Sequence, residues 1–277
     1  MSGNRHAKAT PPRLLEVQWV HRVSPNVLRV GLGGPDLAGF PANRNGAHIK
    51  IFLPRDGQAE PVLPRLGPDG PVWPPRDQRP VTRTYSVRRL DPATGLMEVD
   101  FVLHGDQGPA SAWALRAAPG QRIGVAGPGG PEPMIGSADW YLLAGDITAL
   151  PAISALLEEL SATARGQAIV EVPTNEDCQA PGYAADIPIR WLVRRQPAGV
   201  DRQLIDAVEA VDWPRAECFA WIAGENAAVV HIRNSLRRSP GLQRRQMYAV
   251  PYWKAEFSEE RYHAERHRIM DAFDAEA

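Results

Sequence analysis

The chain has 277 residues, room for two ordinary domains each with a core of its own. Its 31 Lys and Arg nearly balance 32 Asp and Glu, which excludes the one-signed field expected of a nucleic-acid or anionic-membrane binder. Two cysteines, Cys178 and Cys218, exclude a secreted disulfide scaffold, lack metal-ligand spacing and predict no metal site.

Residues 1–12 are polar and end in a Pro pair, unlike a signal peptide, and no run approaches the ~18 apolar residues of a spanning helix; the expectation is a cytoplasmic protein without a membrane partner. Two alternating runs, Leu14 to Val20 and Val27 to Leu32, flank Ser24-Pro25-Asn26 and predict an antiparallel hairpin. A third strand, Gly46 to Leu53, puts His48, Lys50 and Phe52 on one side and Ile49, Ile51 and Leu53 on the other. That leaves His48 and Lys50 either solvated or beside a ligand. The Pro-rich stretch Pro54 to Pro80 cannot carry long regular structure and predicts a surface loop, with Trp73 a lid or an anchor.

The segment Arg83-Thr84-Tyr85-Ser86-Val87-Arg88 reads as a strand that concentrates a guanidinium, hydroxyls and a phenol ring. A fixed guanidinium suits a pyrophosphate and a ring can lie on a flat heterocycle, so the strand suggests a flavin. Next, after a turn at Gly95, Leu96 to Leu103 forms a strand that ends at His104. A Gly108-Pro109 turn then opens a short helix with Ser111 as a candidate N-cap, where free N–H groups favour phosphate. Arg122 to Ala126 is the last strand before Gly127-Pro128-Gly129-Gly130, the expected domain boundary.

The second half changes character. Short apolar strands at Trp140 to Gly145, Gln167 to Val172, Ile189 to Val193, Phe219 to Ala223 and Gln246 to Val250 alternate with helical patterns at about Leu150 to Ala164, Arg202 to Ala210 and Asn226 to Arg238. This is the signature of a parallel sheet covered on both faces, with its ligand crevice beyond the carboxyl ends of the strands. There Gly145 allows close backbone approach, and Asp146, Thr148 and Glu225 either cap helices or meet a cofactor. No G-x-G-x-x-G follows the first strand.

Three motifs in order, R-T-Y-S-V-R from Arg83, D-F-V-L-H-G-D-Q-G-P-A-S-A-W-A from Asp100, and G-D-I-T-A-L-P-A-I from Gly145, resemble the siderophore-interacting proteins, or ferric-siderophore reductases, within the ferredoxin-reductase-like flavoproteins. The resemblance runs from about Leu14 to Lys254. It implies an N-terminal antiparallel Greek-key β-barrel FAD domain, residues 1–130, and a C-terminal doubly wound parallel-sheet, nicotinamide-binding-like domain, residues 131–277. It further implies electron transfer from NADPH or NADH, or from a ferredoxin, through FAD to the Fe(III) of a siderophore, with no nucleophile or general acid.

By resemblance Arg83, Thr84, Tyr85, Ser86, Asp100, His104, Gly108, Ala110 and Ser111 surround the flavin, and Gly145, Asp146, Thr148 and Ala149 line the nicotinamide route. Arg194, Arg195, Arg233, Arg237 and Arg238 are candidates for a 2′-phosphate. Tyr252-Trp253-Lys254 resembles the family's aromatic-aromatic-basic element, though Val250-Pro251 and Ala255-Glu256 stand where the family has glycines. Lys254 and Lys50 would attract the siderophore. Phe257 to Phe273 predicts a terminal helix that covers the cofactor groove or mediates dimerisation. The same residues also fit a general NAD(P)H:flavin reductase or, less completely, a non-catalytic ferric-siderophore carrier.

Overall fold

The structure is a computed structural model that describes residues 11–68, 70–104, 108–179, 182–195 and 202–275. Gly105, Asp106 and Gln107 of the second motif lie outside the described residues. The chain divides into two compact units at Glu132 and Pro133.

In the first unit β1 (Arg13–Ser24) and β2 (Val27–Gly33) form the expected hairpin, followed by β3 (His48–Leu53), β4 (Arg65–Gly67), β5 (Gly70–Val72), β6 (Val81–Ser86), β7 (Arg89–Asp91), β8 (Leu96–Val102), helix α1 (Pro109–Arg116) and β9 (Arg122–Gly129). Seven of the strands make one antiparallel sheet in the order β6-β3-β9-β1-β2-β8-β7. The sheet curls until Tyr85 on β6 meets Phe101 on β8 with ring centroids 4.5 Å apart. The alternating inward residues, such as Ile49 and Ile51 of β3, are fully buried in the common core.

The outer face of β3 is covered too. Phe52 takes the edge of Trp73 at 6.0 Å, and a Cβ at Gly124 would lie 2.2 Å from Leu63. Trp73 is therefore an anchor for the Pro-rich insertion, a contact of about 0.5–1.5 kcal/mol beyond its buried area. Within that insertion β4 and β5 form a short hairpin that the prolines hid from sequence reading.

The second unit holds β10 (Trp140–Asp146), α2 (Leu150–Glu159), β11 (Arg165–Val172), β12 (Ile189–Val193), α3 (Gln203–Glu209), β13 (Cys218–Glu225), α4 (Asn226–Arg238), β14 (Met247–Trp253) and α5 (Glu259–Ala275). Five parallel strands run in the order β12-β11-β10-β13-β14. Every residue of β13 is buried, as a strand covered on both faces requires. α4 buries Val229, Ile232 and Leu236 on one face, the spacing of an amphipathic helix. β14 continues through Pro251 to Trp253, which its edge position permits because a missing N–H costs nothing on the open side.

From β10 the chain crosses first to β11 and later to β13 on the other flank, so the switch point lies beside Gly145 and Gly224. A Cβ at Gly145 would sit 2.4 Å from the Ala223 carbonyl oxygen and 2.5 Å from the Ala149 methyl. Its glycine serves strand and helix packing, a different reason from the ligand approach that its motif suggested. Gly145→Ala should therefore cost about 1–3 kcal/mol by overpacking, seen as a lower melting temperature. An unchanged melt would show that β10 and β13 can part at no cost.

No helix among the described residues is long and apolar enough to cross a membrane.

Candidate functional site

The strand expected to meet the flavin is β6. Its register sets Arg83 opposite Ile51, Thr84 opposite Lys50, Tyr85 opposite Ile49 and Ser86 opposite His48. Arg83 to Tyr85 are partly buried and Ser86 is buried. Lys50 Nζ donates to Thr84 Oγ1 at 2.6 Å, so the structure joins this expected substrate cation to the flavin motif itself. The Arg83 guanidinium donates to the Thr82 carbonyl at 2.8 Å, which aims it along the strand.

An aromatic series, Tyr85 to Phe101 at 4.5 Å and Phe101 to Trp113 at 5.3 Å, ties β6 through β8 to α1. α1 begins at Gly108 with Pro109 next and, among the described residues, no side chain capping it, and Ser111 lies fully buried inside the helix. Ser111 is therefore not the N-cap. Pro109 sets the start, and the Ser111 hydroxyl instead accepts from the His104 N–H at 3.4 Å. Gly108 has a packing reason as well, since a Cβ there would lie 2.2 Å from the His104 ring. Asp100 is buried with both oxygens taken by the Arg29 guanidinium, at 2.6 and 2.9 Å, and Arg88 stands 3.9 Å away. Its chemistry is spent within the sheet.

A helix start, a guanidinium, two hydroxyls and a half-buried phenol ring are groups of the kinds that suit FAD, pyrophosphate and heterocycle alike. Sequence reasoning missed Arg44, which is buried and donates to Glu132 at 2.9 Å and to the carbonyls of Gly129 and Gly130 at 3.2 Å. It ties down the Gly-rich end of β9. Its signal was too faint to find, a lone arginine in a turn.

In the second unit a cavity of about 210 Å3 opens at the carboxyl ends of all five strands, touching Asp146, Glu171, Arg194, Glu225 and Trp253. Asp146 is 3% exposed and accepts four hydrogen bonds. Oδ1 takes the Thr148 N–H at 2.8 Å and its hydroxyl at 2.5 Å, while Oδ2 takes the Glu225 N–H and the Trp253 indole N–H, both at 2.8 Å. Thr148 thus serves Asp146 and does not cap α2, whose first turn starts from Ala149 without a side-chain cap. Glu225 does cap α4, accepting from the N–H groups of Ala227 and Ala228 at 2.5 and 3.2 Å.

Of the arginines expected near a phosphate, Arg194 reaches this cavity and donates to Glu171 at 2.9 Å. Arg233 does not: it is buried 3.9 Å from the Phe273 ring and donates to the Phe273 carbonyl. Arg195 and Arg238 are exposed, Arg237 partly buried, and none of the three lines the cavity. Burial raises the pKa of both Cys178 and Cys218, which keeps them as thiols.

Two family models cover the chain in succession: the siderophore-interacting FAD-binding domain matches residues 16–132 and the siderophore-interacting protein model residues 138–256. The chain belongs to the siderophore-interacting protein family. It is similar to ferric vibriobactin reductase ViuB of Vibrio cholerae, 42% identical over 262 residues, 94% of this chain and 96% of the relative. The NADPH-dependent ferric-chelate reductase of Escherichia coli is 32% identical over 88% of this chain and 93% of its own. Among solved structures, the siderophore-interacting protein SipS from Aeromonas hydrophila superposes with a TM-score of 0.81 at 39% identity, covering 94% of this chain and 98% of that one.

As in the siderophore-interacting FAD-binding domain, the antiparallel sheet comes first and the parallel sheet second, the ferredoxin-reductase-like arrangement. In this family member the basic element after β14 does not stand open. Lys254 Nζ bonds Glu265 of α5 at 2.6 Å and lies 4.4 Å over the Phe257 ring. α5 is held by Tyr262, almost wholly buried, whose hydroxyl donates to Asn226 Oδ1 at 2.9 Å. The terminal helix thus packs on α4 and the end of β14 within its own unit.

Proposed function

We propose that this chain is an FAD-dependent ferric-siderophore reductase that takes electrons from a reduced nicotinamide and delivers them to Fe(III) held by a siderophore. The observation that carries the reading is the donor set of β6 and α1, lying inside a sheet that matches the siderophore-interacting FAD-binding domain. The names of the relatives in Vibrio cholerae and Escherichia coli support it, one reducing ferric vibriobactin and the other using NADPH on ferric chelates.

Bound FAD supplies the conversion of a two-electron hydride into single electrons, so each nicotinamide reduces two ferric ions. Arg83 and the first N–H groups of α1, around Gly108, Ala110 and Ser111, hold the pyrophosphate. Tyr85 borders the heterocycle, and Thr84 and Ser86 offer hydroxyls to its polar edge. Lys50 keeps Thr84 oriented and places positive charge on that face. His104 braces Gly108, and Asp100 braces the sheet through Arg29. Gly145, Asp146, Thr148 and Ala149 shape the crevice floor on the nicotinamide route. Hard oxygen ligands hold Fe(III) far better than Fe(II), so a single electron loosens the metal. A reduced nicotinamide as donor places the reaction in the cytoplasm.

The test is anaerobic visible spectroscopy of the purified protein. Flavin that bleaches with NADH or NADPH and recovers as a ferric siderophore is added supports the reading. Flavin that bleaches only with a reduced ferredoxin moves the donor to that partner. A colourless chain that takes up no FAD leaves the carrier alone.

Lys254, held by Glu265, reaches a siderophore by giving up that pair. Lys254→Ala should weaken ferric-siderophore binding several-fold without altering flavin content, and equal affinity in a titration would remove Lys254 from the site.

A further inference from the structure

One stripe of α5 holds it against the rest of the second unit. Tyr262 is 1% exposed, and its hydroxyl donates to Asn226 at 2.9 Å. One turn on, Arg266 donates to the Tyr252 carbonyl at 3.5 Å and to Glu259 at 3.4 Å. Further along, the Phe273 ring lies 3.9 Å from the Arg233 guanidinium. Positions 262, 266 and 273 share a helix face, so α5 is anchored along most of its length.

Glu265 lies between two of these anchors, and its carboxylate stays beside the end of β14. It accepts from Lys254 Nζ at 2.6 Å, the two side chains being 29% and 34% exposed. The ammonium also lies 4.4 Å over the Phe257 ring, with Arg261 at 4.0 Å from the same ring. Lys254 can leave this arrangement by rotating its flexible stem, whereas Glu265 remains on an anchored turn.

A ferric siderophore that meets Lys254 therefore meets a carboxylate with it. A ferric tris-catecholate is a trianion: it competes with Glu265 for the ammonium and is repelled by it. A ferric tris-hydroxamate is neutral and feels no such repulsion. We infer that Glu265 is a specificity-determining residue that sets how strongly the charge of a ferric siderophore counts at Lys254, opposing anionic complexes and sparing neutral ones. The inference rests on the reading of Lys254 as a cation for the siderophore.

The experiment is a tryptophan-fluorescence titration of the FAD-loaded protein with a ferric tris-catecholate and with a ferric tris-hydroxamate, at low and high salt. Glu265→Gln keeps the shape of the side chain and removes its charge. It should tighten binding of the tris-catecholate by about two- to fivefold at low salt, the range of a part-exposed ion pair, and lose most of that gain at high salt. Affinity for the tris-hydroxamate should not change. Glu265→Asp, which keeps the carboxylate, should stay close to wild type with both chelates. In a Lys254→Ala background Glu265→Gln should give a smaller gain, because the pair is absent and only the repulsion is relieved.

No gain for the tris-catecholate, the same gain for both chelates, or the same gain with and without Lys254 overturns the role of Glu265 and leaves the reductase reading standing. If neither chelate binds the wild type while a reduced nicotinamide still bleaches the flavin, the siderophore reading fails and this inference falls with it.

Discussion

Arg83→Ala should purify largely without FAD. One guanidinium-to-phosphate contact is worth roughly 1.5–3 kcal/mol, so the dissociation constant should rise about ten- to a hundredfold. The side chain is partly exposed at the sheet surface, and its backbone pairing with Ile51 does not depend on it. The fold should therefore persist, which separates this result from general unfolding. The readouts are the ratio of visible to ultraviolet absorbance after purification and a fluorescence titration with added FAD. Full flavin content at unchanged affinity would remove Arg83 from the pyrophosphate site and weaken the motif on which the flavin assignment rests.

Asp146→Ala should be the most damaging single change in the second unit. It strands the N–H of Glu225, the indole N–H of Trp253 and both donors of Thr148 in a site that is 3% exposed. Removing one partner from a buried charged network costs about 3–5 kcal/mol, on the order of a 10 °C fall in melting temperature. The Trp253 bond also fixes the end of β14, from which Lys254 follows directly. Ferric-siderophore affinity should thus fall together with stability. A melt within roughly 2 °C of wild type would mean that water satisfies those donors and that the carboxylate is not a hub.

These two residues show unequal legibility. The Arg83 segment was readable as a candidate because its residues are close in sequence: one short strand carries Arg83 and Tyr85 on one face and Thr84 and Ser86 on the other. Asp146 was readable only as an acid at a strand end, open to capping or to cofactor contact. Its partners Glu225 and Trp253 are 79 and 107 residues away, brought to it by the parallel register of β10, β13 and β14. Ser111 failed as a predicted cap for a related reason. Pro109 opened the helix two residues earlier, and the interior burial that followed gave the hydroxyl a different partner.

By itself the sequence determined the strand and helix alternation, the change from antiparallel to parallel architecture and the strand that carries Arg83 to Ser86, because period-2 and period-3.6 patterns and short motifs are local properties. It also determined that no one-signed field draws the substrate, since net charge is a sum over residues. Only the tertiary structure decided which charges remain available. It buried Arg233 under Phe273, paired Lys254 with Glu265 and Arg194 with Glu171, and spent Asp100 on Arg29. Ion pairing depends on distance and burial between residues far apart in the chain, and those follow from the packing of strands and helices rather than from their order.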